Sequence, residues 1–308
     1  MKISVVTPTL ALDEFLREAR ASVARQASDI AIEHIIVVDD RDASLPPDAI
    51  EGNVHTRFLH NRLGKGPGGA RNSALDCITG SIVFFLDADD IWSDDHVRQA
   101  VSVYEKKPQV DCISIAGLSF GEHIKLPRKT IPDLPQGLIS RHSVAWNPVG
   151  CPTGFSYRWD ARTSDIRFKD AIYFQDIIFY LELLHLGAVF WRENSLRYWY
   201  RRSQGQLTSI VPTDNILKSE GLVHQSLADW KNAGLSSWEV MLASVQIRRL
   251  SANRQRRRDY LNTALLAVMA PRWAAGQVSR IVGNVRIGRL QRQGILQPPR
   301  RLPLSCGA

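Results

Sequence analysis

The feature that most constrains the fold is a regular alternation of strand-like and helix-like segments in the first third of the chain. Short apolar runs alternate with stretches whose apolar residues recur at helical spacing. The predicted strands are Ile3 to Thr7, 34–40, Thr56 to Leu59, 81–90 and Cys112 to Ile115, and the predicted helices are 12–26, Gly69 to Ile78 and His96 to Lys106. Strands joined by helices of this length form βαβ units, so we predict an α/β fold with a mostly parallel sheet flanked by helices.

The pattern becomes less regular after residue 115. A stretch rich in Pro and Gly, from about 120 to 145, predicts a long loop or crossover. A clear helix is predicted over 174–187, where Gly187 would cap it. Further helical patterns run from Ser236 to Pro271 and from Trp273 to about Leu290. The predicted divisions are 1–115, 116–210 and a basic, mainly helical extension over 211–308.

Polar side chains stand where the predicted strands end, at Thr7, Asp39, Asp40, Asp87 and Asp89. Ligands of such sheets bind beyond the carboxyl ends of the strands, so these residues should converge on one rim. Alternation along a strand would point Asp87 and Asp89 the same way. Two carboxylates so placed suit Mg²⁺ or Mn²⁺ bridging to phosphate oxygens. A helix cap is the alternative, although three acids exceed what a cap needs.

A glycine-rich loop, Gly64 to Gly69, matches the G-x-G-x-x-G fingerprint of dinucleotide-binding proteins. In those proteins the fingerprint follows the first strand directly, whereas here two strand ends come before it. A pyrophosphate near Asp87 and Asp89 would also be repelled unless a cation intervened. The loop contains no Gly-Lys-Ser/Thr, so the P-loop pattern fails too. We therefore expect these glycines to serve a ligand other than NAD.

Several motifs in a fixed order resemble the inverting family 2 glycosyltransferases of GT-A fold. They are Val5-Val6-Thr7-Pro8-Thr9, Val37-Val38-Asp39-Asp40, Gly69-Ala70-Arg71-Asn72, Leu86-Asp87-Ala88-Asp89-Asp90 and Phe174-Gln175-Asp176. The resemblance covers roughly residues 1–210. It implies that 1–115 is the nucleotide-sugar-binding half and 116–210 the acceptor-binding half of a GT-A domain.

The resemblance also implies a role for each matching residue. Those implied to bind the nucleotide-sugar are Thr7, Pro8, Thr9, Asp39, Asp40, Arg71, Asp87, Ala88, Arg201 and Arg202. Asp89 and Asp87 would ligate the metal that holds the diphosphate, and Asp176 would be the general base. For Arg201 and Arg202, the alternative is that they are surface arginines beside core aromatics.

The implied activity is that of a metal-dependent hexosyltransferase, which uses Mn²⁺ or Mg²⁺ and moves a sugar from a UDP-sugar to a hydroxyl with inversion. The implied acceptor is a saccharide or lipid-linked saccharide in bacterial-type polysaccharide or glycoconjugate synthesis. The chain departs from the family pattern at Leu10 and Ala11, which replace an aromatic residue and an asparagine, and at Gln175, which replaces a glutamate. A sugar nucleotidyltransferase is one alternative, but its Gly- and Arg-rich loop after strand one is absent. A catalytically inactive sugar-nucleotide-binding protein is the other.

Charge is distributed unevenly along the chain. From residue 241 onward there are 13 arginines, no lysine and one acidic residue, Asp259, which gives +12, whereas residues 1–240 carry −4. Arginines around apolar stripes favour helices attracted to an anionic membrane surface. A solvated helical face and a dimer contact are alternatives. Arginine without interleaved aromatics or a known binding fold gives no reason to expect nucleic acid.

The remaining composition is that of a cytoplasmic protein. The N-terminus enters a β-branched run without an apolar leader, and no apolar stretch reaches the length of a membrane span. The four cysteines have no close pairing and predict reduced thiols. We expect a cytoplasmic location, with peripheral attachment at the inner face of the cell membrane through the basic extension.

Overall fold

The computed structural model describes residues 1–26, 29–121, 128–130, 135–139, 149–202 and 213–232, together with isolated positions between 237 and 265. The helical patterns predicted over 236–271 and 273–290 therefore lie outside the described residues, apart from those isolated positions. The same holds for most of the predicted loop from 120 to 145.

Strands and helices alternate over the first 120 residues, as the sequence predicts. The strands of the described residues are β1 (Lys2–Thr9), β2 (Ala31–Val38), β3 (Ala49–Glu51), β4 (Val54–His60), β5 (Ile82–Phe85), β6 (Ile91–Trp92), β7 (Cys112–Phe120), β8 (Arg128–Lys129), β9 (Gly137–Ile139), β10 (Phe155–Arg158) and β11 (Phe190–Arg201). The helices are α1 (Glu14–Ala24), α2 (Pro67–Leu75), α3 (His96–Lys106), α4 (Gln175–His185) and α5 (Thr213–Asn232). A 3₁₀ turn, Pro152–Gly154, precedes β10.

One mixed sheet contains all of these strands, in the order β3-β4-β2-β1-β5-β10-β7-β11-β6, with β8 beside β7 and β9 beside β11. The four strands β4, β2, β1 and β5 are mutually parallel. β10 is antiparallel to both of its neighbours, and β11 is parallel to β7. The predicted α/β class with a mostly parallel central sheet is confirmed.

Hydrophobic packing fills both faces of the sheet. On one face, α1 and α3 cover residues such as Ile3, Val5 and Phe84. On the other, the buried residues of α2 and α4 pack with an aromatic group formed by Phe85, Phe155, Tyr157, Phe168 and Phe179. Burial of apolar side chains on both faces explains why the central strands read as continuous apolar runs.

Helix α5 was not predicted as a separate element. Its residues Ile216, Val223 and Leu227 are buried in the same cluster as α4, and Tyr173 N donates to Ser219 Oγ at 3.2 Å. The first part of the C-terminal extension thus packs onto the sheet domain. The predicted boundaries at 115 and 210 stay predictions. Among the described helices, none combines the length and apolarity that a membrane crossing requires.

Candidate active site

The carboxyl ends of the parallel strands lie side by side and bring the predicted polar residues to one edge of the sheet. Asp39 N donates to Thr9 O at 2.8 Å, Asn61 N to Val38 O at 2.8 Å, and Leu86 N to Val6 O at 3.0 Å. These bonds continue the ladder just past the strands and fix the relative positions of Asp39, Asn61 and Asp87. The chain therefore places the acids that follow β2 and β5 on a common rim.

The glycine loop is fastened to this rim by Asp39. Asp39 Oδ2 accepts a hydrogen bond from Gly66 N at 2.9 Å, and the Asn61 amide donates to Asp39 Oδ1 and to Gly64 O. Gly64 and Gly66 have φ values of 44° and 96°, in the region that favours glycine. The half-buried Asp39 carboxylate thus orders the loop. Asp40 is exposed; its Oδ1 accepts from Asp42 N at 3.0 Å, and its backbone O lies 3.2 Å from His60 Nδ1.

Two further glycines permit close packing where α2 begins. A Cβ on Gly69 would lie 1.8 Å from Leu63 O, so the loop backbone can approach only because no side chain is present. A Cβ on Gly68 would lie 2.5 Å from Oε1 of Gln175, the first residue of α4. The glycines therefore bring the loop, α2 and the start of α4 into direct contact.

The three residues predicted to line the nucleotide pocket after β1 do not all reach the rim. β1 continues to Thr9, so Thr7 lies within the sheet, fully buried, with Oγ1 2.9 Å from His34 Nε2. Burial lowers the pKa of His34 to about 3, which keeps this imidazole neutral. Pro8 is buried, and the Thr9 hydroxyl donates to Ala11 O at 2.7 Å. The expectation that Thr7 ends a strand at the rim is wrong, because two more residues extend β1 past it.

The acids 87–90 form a turn, not the end of a strand. β5 stops at Phe85, and Asp90 N donates to Asp87 O at 3.0 Å. The strand alternation used to align Asp87 with Asp89 therefore does not apply, although Asp87, Ala88 and Asp89 all remain half-buried at the rim.

Asp90 differs from the other two acids because it is fully buried. Its Oδ2 accepts from Thr153 Oγ1 at 2.5 Å and its Oδ1 from Arg201 N at 2.8 Å. Burial, together with the charges of Asp89 and Asp87, raises the pKa of Asp90 well above its usual range. Both oxygens are occupied inside the protein, so Asp90 is a structural acid.

Arg71 projects from α2 to Asp87. Its Nη2 lies 2.5 Å from Asp87 Oδ1, and the side chains of Arg71 and Asp87 are 4% and 26% exposed. The guanidinium lies 5.2 Å from the centroid of the Phe168 ring and 5.9 Å from that of Phe85. The predicted contact of Arg71 with a base or diphosphate stays a prediction; in the structure its charge balances that of Asp87.

Asp176 lies in the first turn of α4, half-buried, after a strained residue. Phe174 precedes the helix with a φ of 58°, unusual for an aromatic residue, and Asp176 Oδ1 accepts from Ile177 N at 2.9 Å. The left-handed residue begins α4 abruptly, and the bond to Ile177 N fixes one carboxylate oxygen. Strained backbone of this kind recurs at functional sites.

The charges of the acids after β5 and at the start of α4 affect the pKa of two buried side chains, Cys151 and Tyr180. Burial raises the pKa of the Cys151 thiol, and the charges of Asp90, Asp87 and Asp176 raise it further. Burial likewise raises the pKa of the Tyr180 hydroxyl well above its usual range, to which the charges of Asp176 and Asp87 add. Helix α2 lies between the two acids, since its Arg71 pairs with Asp87 and a Cβ on its Gly68 would lie 2.5 Å from Oε1 of Gln175, next to Asp176.

The donor set fits a shared divalent cation and does not fit a metal held by protein alone. No group of three or more His, Cys, Asp or Glu able to hold a metal occurs among the residues that the structure describes. Mg²⁺ and similar ions commonly take one or two carboxylates and complete their shell with phosphate oxygens and water. Asp87 and Asp89 are partly exposed at the rim and can supply those carboxylates, whereas Asp90 is fully buried and hydrogen-bonded to Thr153 and Arg201 N.

Arg201 and Arg202, at the end of β11, differ in burial. Arg201 is buried, with Nε donating to Asp89 O at 2.8 Å and Nη2 paired with Glu18 Oε2. Arg202 is exposed, and its guanidinium lies 5.0 Å from the Tyr200 ring centroid. The residues 203–212 that follow lie outside the described part of the chain.

Several residues of the site escaped the sequence analysis. Thr153 holds Asp90 and also accepts from Asp87 N at 3.2 Å, and Glu18 pairs with Arg201 from α1. Cys151 Sγ lies 3.3 Å from the Tyr198 hydroxyl. Thr153, Cys151 and Glu18 lie outside the five motifs that carry the family resemblance.

Comparison with known proteins identifies the family of this chain. The model described as "Glycosyl transferase family 2" matches residues 4–162, about half of the chain. The chain is 24% identical over 230 residues to the "Succinoglycan biosynthesis protein ExoO" of Rhizobium meliloti (strain 1021), which covers 69% of this chain and 64% of ExoO. It is 23% identical over 195 residues to the "UDP-Glc:alpha-D-GlcNAc-diphosphoundecaprenol beta-1,3-glucosyltransferase WfaP" of Escherichia coli, which covers 61% of this chain and 75% of WfaP.

The fold is also that of a solved protein. The structure of S. aureus TarS 1-349 in complex with UDP-GlcNAc superposes with a TM-score of 0.64 over 96% of this chain and 84% of that chain. Sequence identity is 16%, so this likeness bears on the fold and not on the ligand. It confirms the predicted GT-A type of sheet.

Proposed function

Since this chain belongs to glycosyl transferase family 2, we propose that it transfers a sugar, with inversion, from a UDP-sugar to an acceptor hydroxyl at the rim that carries Asp87 and Asp176. The chain is a glycosyltransferase by family; the donor, the stereochemistry and the residue roles are the proposal. Its main support is that helix α2 touches both regions: its Arg71 pairs with Asp87, and a Cβ on its Gly68 would lie 2.5 Å from Oε1 of Gln175, the residue before Asp176.

Asp176 is proposed to act as the general base. The acceptor hydroxyl must lose its proton as it attacks the anomeric carbon, and a carboxylate within hydrogen-bond reach can accept it. One oxygen of Asp176 is fixed by Ile177 N at the start of a rigid helix, which orients the carboxylate. In-line attack from the side opposite the leaving diphosphate inverts the anomeric centre.

Asp87 and Asp89 are proposed to bind the donor's diphosphate through a divalent cation. Mn²⁺ or Mg²⁺ held there would offset the negative charge that develops on the leaving group. Arg71 keeps Asp87 in one orientation through the ion pair and the packing of its guanidinium on Phe168. Asp39 is proposed to fix the glycine loop beside the nucleotide, because its Oδ2 accepts a hydrogen bond from Gly66 N.

The acceptor is proposed to be a saccharide, carried by a lipid. WfaP is named for a diphosphoundecaprenol-linked acceptor, and ExoO for succinoglycan biosynthesis. The +12 charge beyond residue 240 would hold the enzyme at an anionic membrane surface, where such an acceptor resides. We propose the cytoplasmic face as the place of action.

The base assignment is tested with Asp176→Asn. The amide keeps the size of the side chain but cannot accept the proton, so transfer should fall by about 10²- to 10⁴-fold. UDP binding with Mn²⁺, measured by calorimetry, should stay within twofold of wild type, about 0.4 kcal/mol at room temperature. Asp170→Asn, an exposed neighbour, serves as the matched control. A fully active Asp176→Asn variant would refute the assignment, and a wild type that binds UDP-sugars but never transfers would support an inactive binding protein.

The membrane proposal is tested by deleting residues 266–308, which removes seven arginines and keeps the buried Val245 and Ile247. Sedimentation with vesicles containing anionic lipid should fall for the truncated protein, while the full chain should sediment in a salt-sensitive manner. Equal sedimentation of the two proteins would contradict the role given to the basic extension.

A further inference from the structure

Arg201 lies at the end of β11 and is buried, although the family resemblance implied that it binds the nucleotide-sugar. We propose that Arg201 is a positioning residue that fixes the Asp87–Asp90 turn to α1 and β11, so that Asp87 and Asp89 can hold a cation with the donor. This inference rests on the proposed function for what the turn binds. It assigns Arg201 a role inside the protein and leaves only Arg202 facing outward.

Arg201 holds the turn at two separate points. Its backbone N donates to Asp90 Oδ1 at 2.8 Å, and its Nε donates to Asp89 O at 2.8 Å. Thr153 supplies a third point, because its hydroxyl donates to Asp90 Oδ2 and accepts from Asp87 N. The turn is therefore bound at three points, two of them by Arg201 and one by Thr153.

The guanidinium of Arg201 is itself held by one ion pair and two aromatic rings. Its Nη2 pairs with Glu18 on α1, where both side chains are 10% exposed. The rings of Phe15 and Phe120 each have their centroids 4.6 Å from the guanidinium carbon. A buried pair of this kind is strongly oriented, since each charge would be costly to bury without the other.

This arrangement leaves Arg201 poorly placed to reach a phosphate. Releasing its guanidinium would break the ion pair with the buried Glu18 and the hydrogen bond to Asp89 O. Mutating a group that holds a metal ligand in place typically lowers metal affinity 10- to 100-fold. Arg201 therefore acts on the metal through Asp89 and Asp90.

The test compares Arg201→Lys and Glu18→Gln with wild type in the full-length protein. Lysine keeps a positive charge near Glu18 but has no Nε–H for Asp89 O, and glutamine removes the charge that orients the guanidinium. Both variants should bind Mn²⁺ about 10- to 100-fold more weakly in the presence of UDP, measured by electron paramagnetic resonance. UDP affinity in EDTA should not change in either variant. Arg98→Lys and Asp29→Asn, at an exposed ion pair, are the matched controls.

Two results would overturn the proposal. One is unchanged Mn²⁺ affinity in both variants. The other is weaker UDP binding in EDTA for Arg201→Lys alone, since that result would mean a direct contact between Arg201 and the diphosphate.

A second measurement does not depend on the metal. Hydrogen exchange of the amides of Asp87 and Asp90 should become about tenfold faster in Arg201→Lys than in the Arg98→Lys control, because the turn opens locally. Unchanged exchange would overturn the positioning role. If Mn²⁺ does not change UDP binding by the wild type, but amide exchange is still faster in Arg201→Lys, the metal part of the proposed function is wrong and the positioning role of Arg201 is supported.

Discussion

Removing the charge of Asp87 should destabilise the protein by leaving Arg71 without its partner. The Arg71 side chain is 4% exposed and that of Asp87 is 26% exposed, so the cation is buried and its partner largely so. Breaking a buried pair by removing one partner costs about 3–5 kcal/mol. Here the Phe168 ring and the partial exposure of Asp87 reduce that cost, and we expect about 2–3 kcal/mol for Asp87→Ala.

The pair can be isolated with a double-mutant cycle. Arg71→Met removes the charge but keeps the length of the side chain, so Asp87→Ala in that background should cost little. The coupling energy should be about 2 kcal/mol, and the single variant Asp87→Ala should melt about 3–5 °C lower than wild type. The assay is thermal and urea unfolding in EDTA without nucleotide, so that no ligand contributes.

The control cycle uses Asp76 and Arg167, whose side chains are 51% and 34% exposed. An exposed pair should couple by less than about 1 kcal/mol. If the cycle at Asp87 and Arg71 gives a coupling no larger than this control, the claim that Arg71 is mainly the partner of Asp87 is refuted.

The remaining predictions concern the glycines and two histidines. Gly69→Ala should destabilise the protein by several kcal/mol and weaken UDP binding, because its Cβ would lie 1.8 Å from Leu63 O. Gly221→Ala lies in open space on α5 and should raise stability by about 0.5–1 kcal/mol. Equal urea midpoints for the two variants would contradict this prediction. Burial lowers the pKa of His34 and of His96 to about 3, so between about pH 6 and pH 3 the unfolded chain binds more protons than the folded one. Each of these histidines should lower the free energy of unfolding by up to about 1.4 kcal/mol per pH unit as the pH falls. The slope of the unfolding free energy against pH, measured by urea unfolding, should therefore be smaller in His34→Gln than in wild type. An unchanged slope would contradict it.

The sequence predicted the fold best where apolar periodicity is strong. β1 and α3 lie within two residues of their predicted positions and β2 within three, because their apolar residues follow a single period. β11 was not predicted as a strand, since it carries the charged residues Arg192 and Glu193, which the fold buries. Burial of charged side chains is decided by tertiary partners, and no local pattern reveals those.

The candidate site could be predicted in outline and not in detail. Parallel strands bring their carboxyl ends to one edge, and that rule alone gathered Asp39 and Asp87. The alternation assumed for Asp87 and Asp89 failed because β5 ends two residues before Asp87. The pairing of Glu18 with Arg201 joins positions 183 residues apart, and sequence separation of that size leaves no signal in local spacing.

The most direct test of the account is the position of a manganese ion in crystals of the full chain grown with UDP and Mn²⁺. The account predicts an anomalous manganese peak within coordination distance of oxygens of Asp87 and Asp89, roughly 2.0–2.5 Å, with the diphosphate on the same ion and Asp176 across the cleft. A peak elsewhere, or UDP bound away from the rim formed by β1, β2 and β5, would contradict it.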